Sequence, residues 1–344
     1  MEQFFMEEAR LISQSKDRIS RTGLAFFTMT VVAQLAAIFL YELIALLFPA
    51  LYETDWINWT VTILCLYGFA ALPAFLILRG VPASAPEKRR MPVKSFLMFM
   101  MIAFFFVSLG SNVGQAVNGT IDALTGTEQG SEITDAINGS ALWLTAIYSL
   151  VIAPIMEELF FRKLLVDRLA PLGGWIAIIL SGLFFGLFHG NIDQFFYAAL
   201  LGALFAYVYL NTGNVWIPIL MHSIVNFFGG ILPTLFVSGV PDFFTVFSSG
   251  DAAQIEDLFL AYPLQITGYM ISAMIPSVLS MVGLVLLIVY GKRLLRYITP
   301  CTLPAGKRFG TVVGNAGFLL YTLISIAMMG LVILNNIAEY QAGL

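Results

Sequence analysis

Pro154-Ile155-Met156-Glu157-Glu158-Leu159-Phe160-Phe161-Arg162 sets two adjacent carboxylates and an arginine at the end of an uncharged apolar run, Ala141 to Met156. The run is long enough to read as membrane helix. Ionisable groups cost at least ~2.5–3.5 kcal/mol each in hydrocarbon, so they are rare there and usually functional. On a helix Glu158 and Arg162 are i and i+4, share a face and can pair. Glu157 lies about 100° around the axis and has no such partner in its own helix. One carboxylate is neutralised locally, and the other is left for something else.

The composition around this stretch gives the same reading. The chain has 344 residues, 59% hydrophobic and 11% charged, against about 45–50% apolar and about 25% charged in soluble domains. Apolar runs of about 20 residues recur along its whole length, the mark of a polytopic membrane protein. The net charge of −4 says little, because its distribution matters more than its sum. Cys65 lies within an apolar run and Cys301 in a basic loop, so no disulfide is expected. The first apolar run starts near Gly23 and is too long for a cleaved signal peptide.

The expected fold is all-α, a polytopic transmembrane helix bundle of nine spans with the N-terminus inside. The spans are 23–49, 56–78, 95–118, 141–169, 174–192, 195–210, 215–233, 263–291 and 310–335. With this alternation all 17 Lys and Arg fall at inner ends or inner loops. The outer connections carry Glu53, Asp55, Asp122, Glu128, Glu132, Asp135, Asp193 and further acids, and no basic residue. That is the positive-inside bias. Residues 1–22 mix Phe4, Phe5, Leu11 and Ile12 with charges, as in an amphipathic helix lying on the inner surface. Three regions follow. Residues 1–94 hold the amphipathic segment, a two-helix hairpin and a basic inner loop. Residues 95–233 form a catalytic membrane core with its motifs within 140–230. Residues 234–344 hold a long outer loop, 234–262, able to act as a lid or packed cap, and two C-terminal spans.

Histidine is the sharpest count. There are two, His189 and His222, and both fall in expected spans. Phe185 and His189 share a helix face, beside a Gly182, Gly186, Gly190 stripe that would let another helix approach closely. His222 and Asn226 share a face in the seventh span. At 1.5 Å per residue Glu157 lies ~18 Å and His189 ~22 Å from the inner side, and His222 and Asn226 lie ~12 and ~18 Å in. A shared site inside the membrane is therefore possible. Pro154 would loosen its helix at the same depth.

The chemistry this set offers is hydrolysis. A carboxylate beside a neutral histidine can hold a water and take its proton. Side-chain donors from His222 and Asn226 can meet an oxyanion. Two histidines and a glutamate, Glu157, His189 and His222, also match a catalytic zinc set with an open position. Residue types alone do not choose between a zinc and a metal-free glutamate mechanism.

Glu157-Glu158-x-x-x-Arg162, Phe185-x-x-x-His189 and His222-x-x-x-Asn226, in this order and spacing, resemble the CAAX-protease and bacteriocin-processing (CPBP, or Abi) family of intramembrane proteases. The resemblance covers residues 140–230. It implies an intramembrane endopeptidase of (metallo)endopeptidase type, in which Glu157 and His189 activate water. His222 and Asn226 would stabilise the oxyanion, and Glu158 with Arg162 would brace the site. The expected partners are the lipid bilayer and a membrane-associated, prenylated-type or peptide-precursor substrate, with no nucleic acid. The expected location is a bacterial plasma (inner) membrane. Two rival readings are a catalytically silent immunity or scaffold protein and a proton-coupled transporter. The transporter draws no support from any inverted repeat.

Overall fold

The structure is a computed structural model and describes residues 2–52, 54–126, 141–296 and 298–342. The outer-face acids Glu53, Glu128, Glu132 and Asp135 lie outside the described residues. Among those described, every regular element is a helix, and eight helices are long and apolar enough to cross a membrane. In chain order they are α1 (Glu2–Leu47), α2 (Trp56–Leu78), α3 (Val93–Thr125), α4 (Leu142–Leu172), α6 (Ile192–Thr212), α7 (Trp216–Val237), α10 (Pro263–Leu295) and α12 (Ala316–Ala342). Between them lie α5 (Gly174–Phe188), α8 (Phe243–Ser249), α9 (Ala252–Ala261) and α11 (Arg308–Val313). The protein is an all-α, multi-pass integral membrane bundle.

Three expectations change. The span expected at 174–192 is α5, 15 residues long, which is only ~22 Å against a hydrocarbon core of about 30 Å. Gly190 ends it early, with φ +70° in the left-handed region that glycine enters freely. Asn191 then starts α6, its side chain accepting from the Gln194 N–H at 2.9 Å. Gly190 is thus a turn residue and not the third member of a helical stripe. Gly182 and Gly186 do pack α5 on α6: a Cβ on either would fall 2.6 Å from the Ala199 or Phe195 carbonyl oxygen.

The second change concerns the expected amphipathic segment, whose residues 2–22 continue into the first span as one 46-residue helix. Ser15, Ile19 and Thr22 are buried, and Arg18 donates to the carbonyls of Pro82 and Arg168. The C-terminal half of this segment docks on protein and does not lie flat on a surface. The third change concerns residues 234–262, which fold into α8, α9 and the end of α7. Val237, Val240 and Phe243 form a small core with Ile266 of α10, apart from the main one.

The main core runs through α1, α2, α3, α4, α5, α6, α7 and α12. Phe26 of α1, Phe184 of α5 and Tyr321 of α12 stack with ring centroids 4.6–5.7 Å apart, within the favourable range for aromatic pairs. The α4 helix reverses at Gly173 (φ +114°) into α5, so the two lie antiparallel.

Candidate active site

The α4 helix is not regular where it carries the glutamates. Its hydrogen bonds widen to the π pattern over Tyr148–Ile152 and again over Leu159–Val166, with an α turn, Ala153–Glu158, between. Such π segments recur at functional sites because they re-aim side chains. Pro154 sits inside the α turn and has no N–H to give. In the α register the Leu150 carbonyl would take that N–H, and in the π register the Ser149 carbonyl would. Both find donors on α7 instead. Ser223 Oγ lies 2.8 Å from Leu150 O, sharing its hydrogen with Ile219 O at 3.0 Å, and Asn226 Nδ2 donates to Ser149 O at 2.8 Å. Two side chains one turn apart thus fasten α7 to the proline-loosened part of α4, as hydrocarbon demands of any freed backbone group.

Glu158 and Arg162 are fully buried and pair in bidentate fashion: Nε to Oε2 at 2.6 Å, Nη2 to Oε1 at 3.1 Å. Arg162 Nη1 also donates to Ser181 Oγ of α5 at 2.5 Å. The guanidinium lies 5.4 Å from the Phe185 ring centroid and 5.8 Å from that of Phe205, within cation–π range. A charge buried this completely is tolerated because its partners are fixed.

His222 of α7 lies against both glutamates. Its Nδ1 is 3.2 Å from Glu158 Oε1, and its Nε2 is 4.0 Å from Glu157 Oε2. A carboxylate paired with arginine only accepts, so Nδ1 carries the proton, and Nε2 of the neutral ring offers a lone pair toward Glu157. His189 has the same tautomer for a different reason: its Nδ1 is 2.8 Å from the Phe185 carbonyl. In neutral form each imidazole therefore accepts at Nε2, and each donates there only as imidazolium.

Glu157 is the exception in this network. It is 7% exposed. Tyr67 of α2 donates to its Oε1 at 3.3 Å, and Tyr67 Oη is 3.4 Å from Tyr148 Oη. Its Oε2 is buried with no hydrogen-bond partner among the described residues. A buried carboxylate oxygen left open is costly, and a water or substrate group normally meets it.

The structure therefore brings Glu157, Glu158, Arg162 and His222 into one connected cluster. It sets His189 beside this cluster through Phe185, whose ring packs edge-on against both imidazoles, 5.1 Å from His189 and 5.8 Å from His222. Asn226 faces the Ser149 carbonyl. No hydrogen bond links it to Glu157 or His222 among the described residues. The alternative of a zinc set from Glu157, His189 and His222 finds no support in the geometry: no three His, Cys, Asp or Glu side chains among the described residues are grouped to hold a metal ion. Tyr67, Tyr148, Ser181 and Ser223 belong to the site and were not singled out from sequence. A tyrosine or serine in an apolar span carries no signal until the neighbouring helix is known.

Residues 139–228 match the family model described as type II CAAX prenyl endopeptidase Rce1-like. The chain is 31% identical over 157 residues to a Bacillus subtilis (strain 168) protein named "Putative membrane peptidase YdiL", covering 44% of this chain and 63% of that one. It is 37% identical over 100 residues to human CAAX prenyl protease 2, covering 23% of this chain and 30% of the relative. The rat protein of the same name is 40% identical over 83 residues, 23% of this chain and 26% of the relative. The chain thus spans less than two thirds of the length of each. No solved structure matches it. The segment that holds both glutamates, both histidines and Asn226 is the one that resembles the type II CAAX prenyl endopeptidase Rce1-like family.

Proposed function

We propose that the protein is an intramembrane endopeptidase that hydrolyses peptide bonds of membrane-associated substrates, of the prenylated or peptide-precursor type. The observation that carries this reading is the unpartnered Oε2 of Glu157, buried beside His222 Nε2. In the reaction a water sits on Glu157 Oε2, oriented by the lone pair of a neutral imidazole. Glu157 takes one of its protons while the oxygen attacks the scissile carbonyl carbon. The resulting oxyanion is met on the α7 face by the second amide hydrogen of Asn226. His189 lines the water's side of the pocket. Glu157 returns the proton to the leaving amine as the C–N bond breaks. Glu158 and Arg162 never exchange protons in this scheme. They hold His222 in one tautomer and one place. The match of residues 139–228 to the family model and the similarity to a protein named as a putative membrane peptidase support the reaction class. The distribution of basic residues and the Bacillus relative support a bacterial plasma membrane with the N-terminus inside.

The test is cleavage of a quenched fluorescent peptide bearing a lipid anchor, with purified protein in vesicles. Glu157→Gln should lower the rate by about 10²–10⁴-fold at unchanged folded yield. Equal rates for wild type and variant would overturn the assignment.

A further inference from the structure

A second polar feature lies away from the glutamates, at the basic end of the bundle. There α3, α6 and α10 enclose a groove of about 650 Å³, a size usual for a small-molecule site. Lys94, Leu97, Met98 and Met101 form one stripe of α3 along it. Leu286, Tyr290 and Arg293 form the facing stripe of α10. Both stripes run in the same order, a cation at the end of the helix and apolar side chains deeper in. Arg90 adds a third cation at the mouth, and no Asp or Glu lines the groove. None of these three cations is in an ion pair among the described residues, whereas the neighbouring Arg89 is paired with Glu87.

The polar groups of the back wall are already satisfied. Tyr207 Oη donates to Leu294 O, Asn211 Nδ2 to Tyr207 O, and Thr212 Oγ1 to Val208 O. The deep end is closed where Gly283 of α10 lies against the Met101 carbonyl of α3 with no room for a Cβ. From Gly283 to Arg293 is ten residues, ~15 Å of helix, which is half of a hydrocarbon core of about 30 Å. The groove is one leaflet deep, apolar along its length, and positive only at its mouth.

We propose that this groove binds one anionic phospholipid of the leaflet on the basic side. An acyl chain would lie between α3 and α10 down to the Gly283 pinch, and the headgroup phosphate would meet Arg90, Lys94 and Arg293. Three unpaired cations around an apolar slot match an anionic amphiphile, and cationic pockets between membrane helices are known to hold such headgroups. A zwitterionic lipid would fill the slot and leave the cations uncompensated. The inference is independent of the proposed reaction and survives if that reading fails.

The test uses the full chain in detergent, titrated with dioleoyl phosphatidylglycerol or dioleoyl phosphatidylcholine and read by native mass spectrometry. Wild type should retain one phosphatidylglycerol with at least about tenfold preference. Arg90→Ala/Lys94→Ala/Arg293→Ala should lose that preference, and Lys292→Ala/Arg296→Ala, equally basic but outside the groove, should keep it. Met98→Trp, which fills the slot, should lose retention of both lipids, and it carries the test if the triple variant fails to fold. Glycerol phosphate in excess should not compete, which separates a lipid site from a phosphate site. Equal retention of the two lipids by wild type would overturn the proposal. So would undiminished phosphatidylglycerol binding by the triple variant or by Met98→Trp, or displacement by glycerol phosphate.

Discussion

Ser223 Oγ on α7 stands 2.8 Å from the carbonyl of Leu150 on α4, the carbonyl that would take the N–H of residue 154 were that residue not proline. The bond between these two residues can therefore be probed from both ends. Ser223→Ala should lower stability by about 0.5–1.5 kcal/mol, the usual range for hydrogen bonds between membrane helices. In a Pro154→Ala background, where the backbone N–H returns, the same substitution should cost distinctly less. Thermal unfolding of the four proteins reads the coupling directly. Equal costs in both backgrounds would contradict the account of α4 given above.

Glu158 and Glu157 should separate in what they lose. Glu158→Ala leaves the fully buried Arg162 with only Ser181 as a hydrogen-bond partner among the described residues, and removing one member of a buried ion pair costs about 3–5 kcal/mol. Folded yield, measured by size exclusion after extraction, should fall sharply. Glu157→Ala removes an acceptor with one open oxygen and should leave the yield near wild type. Similar yields for the two variants would undo this division of labour.

Arg162→Lys should not rescue the brace. The pair is bidentate, with a third bond to Ser181 and three aromatic rings within about 6 Å of the guanidinium. A lysine supplies one point charge in place of a planar fork. A melting temperature closer to Arg162→Ala than to wild type is the expected reading.

Tyr67→Phe removes the one hydrogen bond that Glu157 accepts among the described residues. If that bond holds the carboxylate in position, peptide cleavage should slow about tenfold with little change in the melting temperature. An unchanged cleavage rate would show that Tyr67 only packs.

Metal content is a further check on the site. No three His, Cys, Asp or Glu side chains among the described residues are grouped to hold a metal ion. Elemental analysis of protein purified without chelator should therefore give far less than one zinc per chain, and added chelator should leave cleavage unchanged. Stoichiometric zinc, lost on His189→Ala, would require the imidazoles to converge after all.

Much of this architecture could be read from the chain before its structure. The glutamate pair, the spacing of Arg162 and the two histidines pointed to one site. Glu157 and His189 are each sixteen positions from Gly173, the turn between two antiparallel helices, so their similar depth follows from counting. What could not be read depends on partners far along the chain. Tyr67 looks like any apolar-span tyrosine until α2 is set beside α4. Ser223 acquires its role only from the hydrogen-bond register around Pro154. The early end of α5 was signalled by Gly190 and Asn191. In an apolar run ending in His-Gly-Asn, the count of hydrophobic residues hid that signal. The bundle count fell from nine full-length helices to eight and a shorter one for that reason.

The seam between α1 and α12 bears on how such a protein is made. The Gly317 N–H donates to Ser20 Oγ at 3.1 Å across 297 residues of sequence, and Gly23 rests on the Gly317 backbone. As the chain leaves the ribosome, the first helix enters the bilayer without its neighbour. The stack of Phe26, Phe184 and Tyr321 stays open on one side until α12 inserts. The packing of α1 is therefore completed late in synthesis, because its neighbour lies almost three hundred residues further along the chain.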